Sequence, residues 1–76
     1  MSEFFEGMAE IFEVDASKIS SEFELHSGEV AWDSLAIVST IALADDCFGV
    51  MLEGKALGEC KTIADIESLI AAAKKG

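Results

Sequence analysis

The chain has 76 residues, of which 51% are hydrophobic and 26% are charged. Such a length supports one small core, and the apolar fraction is too high for a disordered chain. Asp and Glu number 15 against 5 Lys and Arg, so the formal net charge of −10 argues against nucleic acid or an anionic membrane as the partner. We therefore expect one folded domain over residues 1–76 whose partners present basic surfaces.

The sequence contains no apolar run long enough to span a bilayer. Its first residues include Glu3 and Glu6, whereas a secretion signal would be basic there. We expect a cytoplasmic monomer with no stable membrane insertion. Because Cys47 and Cys60 are too few and too far apart for a metal site, we expect no metal and two reduced cysteines that serve in packing.

An amphipathic helix is predicted over residues 2–13, where apolar side chains recur at helical spacing and glutamates occupy the other face. The apolar side chains are Phe4, Phe5, Met8, Ile11 and Phe12. Residues 14–33 show no lasting period and are rich in Asp, Ser, Glu and Gly, which predicts a long structured loop that is functional, pinned to the core, or both. Its His26 is the only histidine and is interpreted as a solvated loop residue.

The best-delimited helix is predicted over residues 34–48, which contain no Gly or Pro. Asp33 is a natural N-cap for it, and Gly49 fits a left-handed stop at its end. Its apolar residues form two neighbouring lines, so the apolar surface extends further round the helix than contact with one core requires. The first line is Ile37, Ile41, Ala44 and Phe48, and the second is Leu35, Val38 and Ala42.

The C-terminal third of the chain predicts one short helical turn and one longer helix. Residues 50–61 have little period, and the short turn is expected around Glu53 to Leu57. Thr62 is expected to open the last helix, with Asp65 at the third helical position after it in a variant of the capping box. No β-type alternation is sustained anywhere. The prediction is an all-α fold: a small bundle of three main helices plus one short helix, with the long loop between the first and second helices.

Asp33-Ser34-Leu35 is the stretch in which we place the chemistry. Serine catalysis needs a base, and the only imidazole, that of His26, would have to act across a loop; no Gly-x-Ser-x-Gly context surrounds Ser34. We therefore expect a protein that is not an enzyme. A serine on the first helical turn is well placed to carry a phosphate ester, because unpaired N–H groups and the helix dipole favour an anion there. The tripeptide alone is equally compatible with a plain N-cap followed by an ordinary serine.

The wider pattern favours the phosphate ester. A long acidic loop precedes Asp33-Ser34-Leu35, Phe48-Gly49-Val50 closes the helix, and Thr62-Ile63-Ala64-Asp65 starts the last one. Over essentially its whole length the chain resembles the acyl carrier protein family. The resemblance implies that Ser34 is the attachment site of a 4'-phosphopantetheine arm, flanked by Asp33 and Leu35. It further implies an arm that is transferred from coenzyme A by a phosphopantetheinyl transferase and holds acyl groups as thioesters.

The chain also departs from the usual fatty-acid carrier pattern near this serine. Ala31 stands where Gly is usual, Trp32 where a small residue is usual, and Ala36 and Ser39 where acids are common. These differences leave the attachment chemistry untouched and favour a specialised carrier, serving a dedicated lipid, cell-surface glycan or secondary-metabolite pathway. A peptidyl carrier is an alternative within the same class, although it would usually show Gly-Gly ahead of the serine. From another class, an acidic helical adaptor without a prosthetic group is the second alternative.

The resemblance implies that acyl-loading and acyl-using enzymes dock largely on the helix that begins at Ser34. Basic side chains on such enzymes would meet exposed carboxylates, mainly to speed and orient encounter. Trp32 could pack over the arm or a docked enzyme, but a tryptophan in a long loop more often anchors that loop on the core. The candidate docking residues are Trp32, Ala36, Ile37, Asp45, Asp46 and Glu53.

Overall fold

A computed structural model describes residues 2–28 and 30–75. Within these residues the chain forms four α-helices and no strand, which confirms the predicted all-α bundle of three main helices plus one short helix. The long loop between the first two helices contains a short 3-10 helix over Ala16–Lys18. The α-helices are α1 (Ser2–Phe12), α2 (Ser34–Phe48), α3 (Gly54–Gly58) and α4 (Ile63–Lys75).

Helix α1 ends one residue earlier than predicted, because the backbone of Glu13 turns into the left-handed region with φ of 57°. The Val14 N–H donates to the Ala9 carbonyl (3.0 Å) and the Glu13 N–H to the Glu10 carbonyl (3.2 Å). This pair of bonds satisfies carbonyls at the helix end as in a Schellman motif, where glycine is the usual left-handed residue. A glutamate gave no such signal in the sequence.

The core draws fully buried side chains from all four α-helices and from the long loop. Helices α1 and α2 run antiparallel, since the Phe4 and Phe48 ring centroids lie 5.7 Å apart while Gly7, further along α1, faces Leu43, which precedes Phe48 on α2. No helix in the described ranges has both the length and the apolar character needed to cross a membrane. The largest fully buried side chains are Phe4, Met8, Leu25, Thr40, Leu57, Ile63 and Ile66.

Backbone hydrogen bonds hold the long loop to the start of α4. The Leu25 N–H donates to the Lys61 carbonyl (2.8 Å), and the Ile63 N–H donates to the Phe23 carbonyl (3.1 Å), around an isolated antiparallel bridge between Glu24 and Thr62. Buried Leu25 and Ile19 add apolar contacts. The loop is therefore pinned to the core, which is one of its two expected roles, and it fixes the approach of the chain to α2.

The start of α4 is capped by Asp65, as the sequence predicted. One carboxylate oxygen, Oδ2, accepts from the backbone N–H groups of Lys61 (2.9 Å) and Thr62 (3.3 Å). Asp65 is the third residue of the helix, which begins at Ile63. The same segment also pairs with the long loop, so the turn whose N–H groups Asp65 caps also holds that loop in place.

Candidate functional site

The first turn of α2 is organised by Asp33. Its backbone is extended (φ −113°, ψ −175°), its Oδ1 accepts from the Ala36 N–H (3.0 Å), and its carbonyl accepts from the Ile37 N–H (2.9 Å). This is the N-cap that the sequence predicted. Ser34 is consequently the first residue of a 15-residue helix, and its side chain is exposed.

The position of Ser34 suits an ester of phosphate. The first backbone N–H groups of a helix lack partners within the helix, and their dipoles add to a partial positive charge at this end. At α2 the Asp33 side chain accepts from the Ala36 N–H. The N–H groups of Ser34 and Leu35 are then the donors available to an anion at the start of the helix. An anion attached to the Ser34 hydroxyl would therefore sit beside donors and a favourable dipole.

The His26 ring contacts the connection between α3 and α4. Its Nε2 lies 3.0 Å from the Cys60 carbonyl oxygen, in the connection between α3 and α4. The ring is otherwise exposed, which agrees with the expected loop position. Across residues 2–28 and 30–75 there is also no group of three or more side chains that could hold a metal ion.

Both cysteines are free thiols. Burial, with Asp65 and Glu59 adding to it, raises the pKa of the Cys60 thiol to about 11. Burial also raises the pKa of Cys47, with the nearby charges of Glu3 and Asp46 acting in the same direction. Because a thiolate is the reactive form, neither cysteine is poised as a nucleophile at neutral pH.

Trp32 anchors the loop that leads into α2. The indole Nε1–H donates to the Leu57 carbonyl in α3 (3.0 Å), and the ring meets Phe12 edge-on with centroids 6.0 Å apart. Phe12 in turn stacks on Phe23 at 5.8 Å. These contacts support the second of the two roles expected for Trp32, that of closing the loop on the core.

An exposed face of α2 continues away from Ser34. Within the second apolar line of the sequence, Leu35 is 76% and Val38 is 61% accessible. Asp45 and Asp46 are exposed at the far end of the helix. Since positions three, four and seven apart share one side of a helix, these residues form one surface, which we call the outer face of α2. Its members are Leu35, Val38, Ala42, Asp45 and Asp46.

Two of the docking residues predicted on α2 do not belong to this outer face. Ala36 is only 6% exposed, so the expectation that its side chain meets partners needs correction; it lies on the inner side of the first turn. Ile37 is half-buried against α3, where Cβ atoms built on Gly54 and Gly58 would lie 3.7 and 3.8 Å from it. Glu53 is exposed just before α3 and makes no capping hydrogen bond.

The buried polar side chain next to this site was missed by the sequence reasoning. Thr40 is fully buried in α2, and its Oγ1 donates to the Ala36 carbonyl (2.8 Å). The hydroxyl is thus hydrogen-bonded within its own helical turn. Threonine side chains commonly form this bond in helices, which could have indicated that Thr40 is compatible with burial.

No protein-family model, curated protein or solved structure matches this chain.

Proposed function

We propose that this protein is a carrier whose Ser34 bears a 4'-phosphopantetheine arm and presents acyl groups, held as thioesters, to partner enzymes. The observation that carries the proposal is the exposed Ser34 hydroxyl on the first turn of α2, directly after the capping Asp33. A phosphodiester at this position gains from the free N–H groups and the helix dipole. The order of the elements, with a long pinned loop before the capped helix, supports the same conclusion.

The proposed role is non-catalytic. A carrier needs no general base beside its serine, and the imidazole of His26 is engaged with the Cys60 carbonyl. It needs no activated thiol either, because the reactive thiol belongs to the arm. The raised pKa values of Cys47 and Cys60 fit that role, since protonated thiols do not compete for the acyl group.

Partner enzymes are proposed to dock on the outer face of α2 with basic surfaces. Asp45 and Asp46 supply charge at its far end, and Leu35 and Val38 supply apolar area next to the arm. We propose a dedicated lipid, cell-surface glycan or secondary-metabolite pathway, because the half of this face nearest Ser34 carries no acid. The protein is proposed to work as a cytoplasmic monomer, and its free cysteines are in keeping with a reducing compartment.

Intact-mass measurement tests the proposal. The purified protein is incubated with coenzyme A, Mg²⁺ and a promiscuous phosphopantetheinyl transferase whose activity is verified on another carrier. We expect one arm on the wild type and none on Ser34→Ala. Ser68→Ala, which alters an exposed serine within α4, is the matched control and is expected to take one arm. An unmodified wild type beside an active transferase contradicts the proposal.

A second candidate function is an acidic helical adaptor without a prosthetic group. The specific observation in its favour is the exposure of Leu35 and Val38, which would serve a partner equally well without an arm. The effect of replacing Ser34 by Ala distinguishes the two functions. An adaptor would retain its partners from the native host when Ser34 is changed to Ala, whereas a carrier would lose those that recognise the arm.

A further inference from the structure

One side chain joins the loop before Ser34 to helix α3. The Trp32 Nε1–H donates to the Leu57 carbonyl across 25 residues of sequence, at 3.0 Å. The same carbonyl accepts from the Cys60 N–H (3.1 Å), so both of its acceptor positions are used. Leu57 itself is fully buried. The indole N–H is therefore bonded to a backbone carbonyl of the buried core rather than to a surface side chain.

Helix α3 depends on its contacts with the neighbourhood of Ser34. It has five residues, which is too short for a helix to be stable by itself in water. Besides the Trp32 bond, it meets α2 where Gly54 and Gly58 face the side chain of Ile37. Trp32 precedes Ser34 by two residues, and Ile37 follows it by three. These two links between α3 and the α2 region thus flank Ser34 on both sides, and Gly54 also faces Ile41 further along α2.

This arrangement ties the orientation of Ser34 to the position of α3. If α3 moved away from α2, the Trp32 bond would break or the turn that contains Asp33 and Ser34 would move with it. A phenylalanine in place of Trp32 could fill much of the same space against Phe12, but it has no N–H to donate. The coupling is therefore a property of the indole N–H and not of the ring alone.

We propose that Trp32 is a positioning residue for arm transfer. Through the Leu57 carbonyl it fixes the Ser34 turn and α3 as one preformed surface, which the transferase recognises together with the serine. This inference rests on the proposed function of Ser34. It implies a transferase that contacts both the Ser34 turn and α3, so that loosening one relative to the other weakens recognition.

Arm-transfer kinetics with Trp32→Phe test the proposal. The KM for the carrier is expected to rise about fivefold, the factor that corresponds to loss of one ordinary hydrogen bond, with kcat unchanged. A second variant guards against misfolding. Because the chain has a single Trp, biosynthetic replacement of Trp by benzothienylalanine exchanges only the Trp32 N–H for sulfur, and the same rise in KM is expected.

Phe23→Leu is the matched control. Phe23 is half-buried and stacks on Phe12, so its truncation loosens the same aromatic group without touching the Trp32 bond. We expect it to lower the free energy of unfolding while leaving the KM unchanged. Amide hydrogen exchange gives a second measurement: the Ala36 and Ile37 amides, which bond to Asp33, should exchange faster in Trp32→Phe than in Phe23→Leu.

The outcomes separate the two proposals. If the wild type accepts the arm and both Trp32 replacements have a wild-type KM, the positioning role is overturned while the carrier function stands. An equal rise in KM in Phe23→Leu also overturns it, because general loosening would then explain the effect. If the wild type accepts no arm, the carrier function fails and this inference fails with it.

Discussion

Gly7 of α1 lies directly against the side chain of Leu43 of α2. A Cβ atom built on Gly7 would lie 2.8 Å from Leu43 Cδ2 and 3.1 Å from Cγ, and it would overlap Cδ1 more severely. The missing side chain is therefore what lets the two helices approach so closely at this point. Position 7 faces the α1–α2 contact. Because glycine has poor helix propensity, the close approach of the two helices lowers the intrinsic stability of α1.

The first prediction concerns this pair. Gly7→Ala is expected to destabilise the wild type by about 1 kcal/mol, because overlap with Leu43 outweighs the gain in helix propensity. In a Leu43→Ala background the same change should stabilise by about 1 kcal/mol, since the overlap is gone. Urea unfolding of the four proteins measures the coupling between the two sites. Additive effects of the two substitutions would contradict a direct contact.

The bounds of α2 were predictable because both ends carry strong local signals. Asp33 caps the first turn, and Gly49 adopts the left-handed conformation (φ 67°) that stops the helix. The start of helix α4 was likewise predictable from Thr62 and Asp65. In each case the determining hydrogen bonds join residues no more than four positions apart, which is the range over which sequence patterns are informative.

Several of the features that were not predicted depend on contacts between distant parts of the chain. The bridge between Glu24 and Thr62 and the Trp32 bond to Leu57 each join segments that only the folded bundle brings together. The burial of Ala36 has the same origin. A helical period gives the relative directions of side chains, but the neighbours of α2 decide which direction faces the core.

The second prediction concerns the cap of α2. Asp33→Ala should lower the free energy of unfolding by about 1 kcal/mol, because the Ala36 N–H loses its partner. Asp33→Asn should stay close to the wild type, since an amide oxygen can accept the same bond. Asp45→Ala removes an equal charge from the other end of α2 and serves as the control. A loss as large in Asp33→Asn would mean that charge, and not capping, explains the effect.

The third prediction is a fall in stability at alkaline pH caused by Cys60. Its thiol has a pKa of about 11 in the fold, against an ordinary value of 9.0. As the pH rises the unfolded chain loses this proton first, so stability is complete below pH 9 and is lost towards pH 11.

Urea unfolding under reducing conditions at several pH values checks this expectation against Cys60→Ala. Lysine titration is common to both proteins, so the difference between their pH profiles isolates the thiol. The variant should be less stable than the wild type at pH 7 and should lose less stability as the pH rises. Parallel profiles would show that the Cys60 thiol titrates alike in the folded and unfolded chains.

The last prediction concerns the outer face of α2 as the proposed docking surface for a phosphopantetheinyl transferase, and it rests on the proposed carrier function. Near Ser34 this face offers Leu35 and Val38, and its carboxylates, Asp45 and Asp46, lie towards the other end. Apolar contact should therefore dominate recognition close to the arm, while the distant charges are screened by salt. We expect Val38→Ser to raise the KM for the carrier about fivefold at 150 mM salt, from the lost burial of one partly accessible side chain.

Two comparisons make this expectation specific. Met51→Ser removes an exposed apolar side chain of similar accessibility, 73%, from the connection between α2 and α3, and should leave the KM unchanged. Asp46→Asn should raise the KM at low salt and have little effect at 150 mM, because screening weakens an exposed charge pair. A strong effect of Asp46→Asn with none from Val38→Ser would show that charge governs docking here, as on carriers with acids along the whole face.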